Sequence, residues 1–485
     1  MKKPKVITML LGLAVMLLPN LQINAQEKQQ VKQNEPATNP RKIVSLEVDA
    51  IAPTANIFAY KLLPSQMDIS TGNSISFYLK SMLCHPGVFT MEDNTTREKY
   101  LQMPITDPKW KELKNYRESI LRNVYLGARM EPASWQLSSK IVKDRALIEL
   151  PEAQHLRKLI TMLRIRLRAE IACGDFPSAH RTMQTMFRMS EDFSKHPTFI
   201  YNLIATSTQN NIFYEIDNWI RKENSPNLYW ALTLFTPVPH SMTEAISAQL
   251  DFVYMVPTGI SITIPQSDQE VDAIIKKNYD VDNVFGTFNE LRNNSKLTKE
   301  EREILAKKKL ESYGLDKKNV AKLGNKQSLY LAEAVDLHQA ILLSSCWLNR
   351  PYWQCDFSRF NASVFDKREI ITSNDIYKIK INEARSKQRF VLLRGIEAVR
   401  YFAATHKNRL PKSLQELNQK LKIGLLIDPV SGKEIEYKLE GNKAILYGAL
   451  VKDRLTNKQE GHFQYEITIR GKPLLDQLTQ ENKNR

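Results

Sequence analysis

The sequence predicts a mainly α-helical fold, in which helical-hairpin layers of the α-solenoid type precede a small α+β module with an antiparallel sheet. Three successive amphipathic helices between Pro151 and Arg221 predict the hairpin layers. Alternation of apolar and polar residues from Phe463 to Arg470 predicts the sheet, because successive side chains of a strand point to opposite faces. The composition, 42% hydrophobic and 25% charged, is typical of a globular protein of roughly two to four domains.

The first of the three helices carries an apolar stripe at helical spacing. Its members are Leu156, Leu159, Ile160, Leu163 and Leu167. The run from Gly174 to Pro177 predicts a tight turn, because Gly adopts the left-handed conformation that ends a helix and Pro is tolerated in the first turn of the next. Similar stripes follow this turn and follow Pro197, so each helix must bury one face against a neighbour.

Four residues around this turn resemble a tetratricopeptide repeat. Gly174, Phe176, Ala179 and Met183 match the turn and second helix of the repeat, in which small residues let two helices approach closely. The resemblance covers half a repeat and implies stacked helical hairpins. A helical-hairpin core without a repeat is the other interpretation of the same residues.

The N-terminal segment predicts export. Three lysines within the first five residues precede a mostly apolar run from Val6 to Leu18, and Ala25 offers a cleavage site. The run is too short to cross a bilayer comfortably, which is typical of a secretory signal peptide at residues 1–25. Cleavage would leave residues 26–41 as a polar linker and the protein in the periplasm or outer envelope. An uncleaved anchor is the alternative, and membrane contact is expected through this segment alone.

Beyond the linker we expect a helical domain at residues 42–383 and a C-terminal α+β module at residues 384–485. The module begins with an amphipathic helix that passes through Arg389 and ends near Thr405. Gly441-Asn442 then separates two short alternating segments, which predicts a β-hairpin.

The last hundred residues resemble the soluble part of type II secretion pseudopilins. The matching features are Leu410-Pro411, Asp428-Pro429 and Gly432, which stand between the helix and a strand around Tyr437. The resemblance implies a helix packed on a small antiparallel sheet. The order of segments along the whole chain also resembles a group of exported bacterial proteins with no assigned activity, which implies a topology rather than a reaction.

The chain is strongly basic, with 69 Lys and Arg against 53 Asp and Glu and a formal net charge of +16. Arg157, Arg164 and Arg168 line a second face of the first helix, and we take them as a candidate binding surface. An unknown protein or an anionic envelope polymer is the expected partner. Nucleic acid is not expected, because no nucleic-acid-binding motif is present and export is predicted. A solvated helix face is the other interpretation of the basic residues.

The segment from Cys346 to Cys355 has the most unusual composition in the chain. Its aromatic and basic side chains form a second candidate binding surface, since aromatic rings stack on sugars or clamp peptides. They are Trp347, Arg350, Tyr352 and Trp353. Sealing the end of the helical layer is the alternative role. The two cysteines flank a turn at Pro351, so a disulfide between them is feasible in an oxidising compartment.

The sequence contains no recognisable catalytic motif. It has eight histidines but neither H-E-x-x-H, nor G-x-S-x-G, nor a phosphate-binding Gly-rich loop. We therefore assign no catalytic, cofactor-binding or metal-binding residue and expect no cofactor. The favoured function is a non-enzymatic scaffold or binding protein of the envelope with a basic helical surface. The alternative is a periplasmic hydrolase-like enzyme whose site is assembled from distant residues.

Overall fold

The fold is seen in a computed structural model that describes residues 41–56, 59–83, 91–135, 150–237, 260–278, 297–355, 373–451 and 462–471. These residues are mainly helical, with a small sheet that contains antiparallel strands. The helices are α1 Ser74–Leu83, α2 Met91–Gln102, α3 Glu118–Gly127, α4 Pro151–Ala172, α5 Phe176–Ser194, α6 Phe199–Arg221, α7 Tyr229–Leu234, α8 Asp268–Asn278, α9 Lys299–Ser312, α10 Lys317–Lys322, α11 Asn325–Leu348, α12 Ser373–Thr405 and α13 Leu414–Leu421. None of these helices combines the length and the apolar composition needed to cross a membrane. The predicted signal peptide lies outside the described residues.

The strands form one larger and one smaller sheet. They are β1 Arg41–Val48, β2 Ser70–Asn73, β3 Met130–Glu131, β4 Glu436–Glu440, β5 Lys443–Tyr447 and β6 His462–Ile469. The larger sheet has the order β1-β6-β5-β4, and β2 pairs with β3. β6 is antiparallel to β5 but parallel to β1, with Val44 opposite Tyr465. The N-terminal strand therefore completes the C-terminal sheet.

The turn between α4 and α5 has the predicted geometry. Gly174 has φ +72°, in the left-handed region that ends a helix without steric strain only for Gly. Asp175 caps α5, since its Oδ1 accepts a hydrogen bond from the Ser178 backbone N–H at 3.2 Å. The predicted apolar stripe of α4 is also confirmed, with Leu159 and Leu163 fully buried.

One hydrophobic core passes from the central helices into the C-terminal module. It includes Leu163 of α4, Phe213 of α6, Phe390 of α12 and Ile467 of β6. The rings of Phe213 and Phe390 lie 5.6 Å apart, on either side of the expected domain boundary at residue 384. Helix α6 therefore packs directly on the module that the sequence sets apart.

A second, smaller core lies among α8 to α11. Each of the four helices contributes a fully buried residue, for example Val271, Leu310, Val320 and Ala332. α9 begins with a capping box, in which the side chains of Thr298 and Glu301 each accept a hydrogen bond from the backbone of the other.

Candidate functional site

A cleft of about 950 Å³ lies over the neighbouring helices α4 and α6. Both helices contribute residues at helical spacing along about four turns. The contribution of α4 runs from Gln154 to Arg168, and that of α6 runs from Ser207 to Arg221. At 1.5 Å per residue each stretch is roughly 21 Å long. The cleft is thus long enough for an extended ligand.

Two further elements form the walls of the cleft. One wall is α2 with the segment that follows it, from Asn94 to Thr106. The other is the start of β1, Lys42 to Ser45, with Phe463 of β6 beside it. Because β1 reaches the cleft through its pairing with β6, the C-terminal sheet helps to shape a site whose floor is helical.

The cleft is basic. Its described lining includes seven Lys or Arg side chains but two carboxylates, Glu98 and Asp217. The basic residues are Lys42, Arg97, Arg157, Lys158, Arg164, Arg168 and Arg221. Cations gathered in a concave site focus the positive potential and attract anionic groups.

Two of the cleft arginines share one buried carboxylate. Arg164 Nε lies 2.7 Å from Glu215 Oε1, and Arg168 bonds both oxygens, Nε to Oε2 at 2.9 Å and Nη2 to Oε1 at 2.6 Å. Arg168 also donates from Nη1 to the Leu101 carbonyl at 2.6 Å, which ties the end of α2 to α4. The carboxylate balances one of the two positive charges, so this cluster keeps a net charge of +1 and a fixed geometry.

Glu215 remains charged in spite of its burial. Removal from water alone would raise the pKa of its carboxyl, but the charges and hydrogen bonds of Arg168 and Arg164 lower it to about 2. Asn218 adds a further hydrogen bond to Oε2, at 2.9 Å. The anion is therefore stable at neutral pH and holds both guanidinium groups in place.

A second ion pair links the cleft to the C-terminal module. Arg389 of α12 donates to Asp217 Oδ2 at 2.5 Å and to the Tyr465 hydroxyl at 3.2 Å. Its guanidinium stacks 3.6 Å above the Tyr214 ring and 4.4 Å from that of Phe463. Burial raises the pKa of the Asp217 carboxyl even though Arg389 lies beside it. Asp217 Oδ1 is buried without any hydrogen-bond donor among the described residues.

Arg157 differs from Arg164 and Arg168 in having a neutral partner. It is partly buried, and its Nη1 donates to Gln154 Oε1 at 3.3 Å. Among the described residues no carboxylate lies within ion-pair distance of it. Burial lowers the pKa of its guanidinium, a sign that an anionic partner would be favourable there. Arg221 likewise donates to a carbonyl, that of Ser45, at 3.3 Å.

The structure therefore brings the three predicted arginines together in one cleft but withdraws two of them from solvent. The side chains of Arg164 and Arg168 are 13% and 9% exposed. Buried Glu215 draws these two side chains inward, whereas Arg157 is partly buried and has no carboxylate partner among the described residues. That the three arginines form a binding surface stays a prediction.

The second predicted surface lies elsewhere. Tyr352 packs against a small core cluster, and Trp353 is half exposed with its ring over Gly432. Arg350 is exposed, while the Trp347 side chain lies outside the described ones. Among the described residues that line the cleft, Arg350, Tyr352 and Trp353 do not occur. Their role as a binding surface stays a prediction.

The feasible disulfide is not formed in the structure. Cys346 and Cys355 are not bonded to each other. Cys355 Sγ donates to the Pro351 carbonyl of its own turn at 3.4 Å, whereas Cys346 is exposed. The 3₁₀ helix Tyr352–Gln354 lies between them.

Sequence reasoning missed the contribution of α6 to the site. Thr208, Asn211, Glu215 and Asn218 follow one another at spacings of three and four residues in α6. This polar stripe was a readable signal, because a helix that buries polar side chains at one face must pair them or present them to a ligand.

The lining offers little for catalysis. Neither His nor Cys is among the described residues that line the cleft. No group of three or more metal-binding side chains occurs within the part of the chain that the structure describes. What the arrangement provides is fixed positive charge and hydrogen-bonding groups.

Comparison of the chain with protein-family models, with curated proteins and with solved structures gives no match.

Proposed function

We propose that the protein is a non-enzymatic binding protein of the cell envelope, and that its basic cleft holds an extended anionic ligand. The observation that carries the proposal is the excess of seven basic over two acidic side chains along this concave surface. Arg157 has an uncharged partner at the distance given above, so it gains most from an anion, and Arg221 donates to a backbone carbonyl beside it in the cleft lining.

Preorganisation supports binding in this cleft. Glu215 fixes two guanidinium groups and Arg389 is fixed between two rings, so a ligand need not order these side chains itself. Less conformational entropy is then lost when the complex forms. The same rigid charges would also speed the encounter with a polyanion at low salt.

The alternative, a hydrolase-like enzyme, requires a general acid or base facing the substrate. Asp217, one of the two described carboxylates of the lining, is already paired with Arg389, and Glu98 is exposed on α2. The lining of the cleft therefore favours binding over hydrolysis.

Location and assembly complete the proposal. The N-terminal signal segment supports a place in the periplasm or outer envelope. The central helices α4 to α6 would serve as solenoid-like layers, and the pseudopilin-like module around α12 would offer a second contact element for an unknown protein partner.

A charge-matched pair of variants tests the proposal. Arg157→Gln with Lys158→Gln removes two cations from the cleft, whereas Lys317→Gln with Lys318→Gln removes two exposed cations from α10. Binding of labelled polyphosphate, polyglutamate and polygalacturonate would be measured by fluorescence anisotropy at 150 mM NaCl.

We expect the cleft variant to weaken binding of at least one probe about tenfold, since two charge-assisted contacts contribute at least about 1.4 kcal/mol together. The control variant should change every affinity less than twofold. An equal loss of affinity in both variants would mean that anions bind to the basic surface in general and not to the cleft in particular. The proposal would then be abandoned.

A further inference from the structure

We infer that the ligand of the basic cleft is an acidic oligosaccharide, a chain of hydroxyl-bearing rings that carries carboxylate groups. The inference rests on the proposed function, because it names the class of anion that the cleft would bind. Its starting point is that the cleft presents hydrogen-bond acceptors as well as cations.

Several acceptors lie among the cations. Asn218 gives its amide N–H to Glu215, which leaves its Oδ1 as an acceptor at the cleft. Thr161 gives its hydroxyl hydrogen to the Arg157 carbonyl at 3.1 Å, which leaves the lone pairs of its Oγ1. The exposed carboxylate of Glu98 adds a third.

These acceptors discriminate between polyanions. The ionised oxygens of a polyphosphate accept hydrogen bonds but cannot donate them. Placed opposite the acceptor oxygens of the cleft, they would leave those oxygens without a hydrogen-bond donor. A sugar chain brings hydroxyl groups, each of which can donate to Asn218, Thr161 or Glu98. Its carboxylates can at the same time reach Arg157 and Arg221.

An extended acidic peptide would bring both charges and N–H donors, and such peptides bind by adding a strand to the free edge of a sheet. Along β1 two carbonyls of this edge already accept side-chain hydrogen bonds, from Arg221 to Ser45 at 3.3 Å and from Arg470 to Glu47 at 2.9 Å. A peptide strand would find these two acceptors occupied, which disfavours it relative to a ligand that binds through its side groups.

The rings in the wall fit the apolar faces of a sugar. Tyr214 and Phe463 both line the cleft, with ring centroids 6.2 Å apart and planes at 69°. Arg389 stacks on both rings and fixes them. Aromatic surface beside amide, hydroxyl and guanidinium groups matches a ligand that is apolar on its ring faces and polar at its edges.

Isothermal titration of the full chain at 150 mM NaCl tests the inference. The probes are tetragalacturonate, maltotetraose as a neutral tetrasaccharide, hexaglutamate and tetraphosphate. We expect tetragalacturonate to bind at least tenfold more tightly than each of the other three.

Two threonine variants test the role of the acceptors. Thr161→Val should weaken tetragalacturonate binding at least threefold and leave tetraphosphate binding unchanged. Thr206→Val is the matched control, because Thr206 bonds a helix carbonyl in the same way but does not line the cleft. It should alter neither affinity, and Arg157→Gln should weaken every anion that binds.

The outcomes separate the two proposals. If hexaglutamate or tetraphosphate binds as tightly as tetragalacturonate and depends on Arg157, the sugar inference is wrong and the anion-binding cleft remains. If no anion binds in an Arg157-dependent manner, both proposals fail. Tight binding of maltotetraose would also overturn the inference, because it would remove the requirement for carboxylates.

Discussion

Replacing Glu215 with Gln removes the carboxylate that Arg164 and Arg168 share. The pKa of Glu215 falls from its ordinary value of 4.5 to about 2, and each pH unit corresponds to about 1.4 kcal/mol. The charged form is therefore favoured by about 3 kcal/mol in the folded protein. Glu215→Gln should lower the free energy of unfolding at pH 7 by about 3 kcal/mol or somewhat more, since two buried cations lose their anion.

The pH dependence of this loss is a sharper signature. Because the folded pKa of Glu215 is depressed, its contribution is complete above about pH 4.5 and disappears as the pH falls toward 2. The difference in the free energy of unfolding between wild type and variant should shrink to about half of its pH 7 value by pH 3. Urea unfolding followed by circular dichroism at both pH values measures it.

Glu440→Gln is the matched control for this measurement. Glu440 is exposed at the end of β4, so its loss should change stability by less than about 0.5 kcal/mol at either pH. A Glu215→Gln protein within 1 kcal/mol of wild type at pH 7, or a difference that does not depend on pH, would refute the account of the paired arginines.

Three further predictions concern the stability of the fold outside the lining of the cleft. Burial lowers the pKa of His462 to about 4, so this residue should take about 2 kcal/mol from the free energy of unfolding between pH 6.5 and pH 5. In urea unfolding His462→Gln, which keeps an acceptor for the Val451 N–H, should reduce the fall over this range by about 2 kcal/mol. His196 and His180, whose pKa values burial also lowers, keep their own contributions. Gly432→Ala should lower the free energy of unfolding by at least about 1 kcal/mol in thermal unfolding and alter tryptophan fluorescence. The reason is that φ is +69° and a Cβ would lie 2.7 Å from the Trp353 ring. Unchanged stability and fluorescence would contradict this packing. Asp175→Ala should cost about 1 kcal/mol through loss of the α5 cap, and Asp175→Ser should restore most of it.

Local signals in the sequence were sufficient for the helices and the hairpin. Gly174 and Asp175 define the turn of the first hairpin by their own conformational preferences, and Thr298 with Glu301 defines the start of α9. Gly441 likewise marks the β4–β5 turn at φ +61°. Each of these preferences depends on residues only a few positions apart, so it can be recognised from a short stretch of sequence.

Pairing between distant segments could not be predicted in the same way. The alternation in β1 indicates a strand, but nothing in it identifies β6 as its partner, because any strand with one buried face satisfies the pattern. The arginine face of α4 was recognised without its anion, since Glu215 lies 47 residues from Arg168 in another helix. Burial of charge depends on such partners, and for this reason Arg164 and Arg168 were expected at the surface.

The parallel contact of β1 with β6 has a consequence for how the chain acquires its shape. Arg470 and Asp49 form an ion pair although 421 positions separate them. As the chain is synthesised, β1 emerges long before the strand that holds it, so this part of the sheet must close last. Because the two strands are parallel, Arg41 lies beside His462 and Val48 beside Ile469, so the described chain begins at one end of the strand pair and finishes at the other. At roughly 3.3 Å per residue the two ends are about 23 Å apart, and a circularly permuted protein would need a linker of at least that length to keep its native contacts.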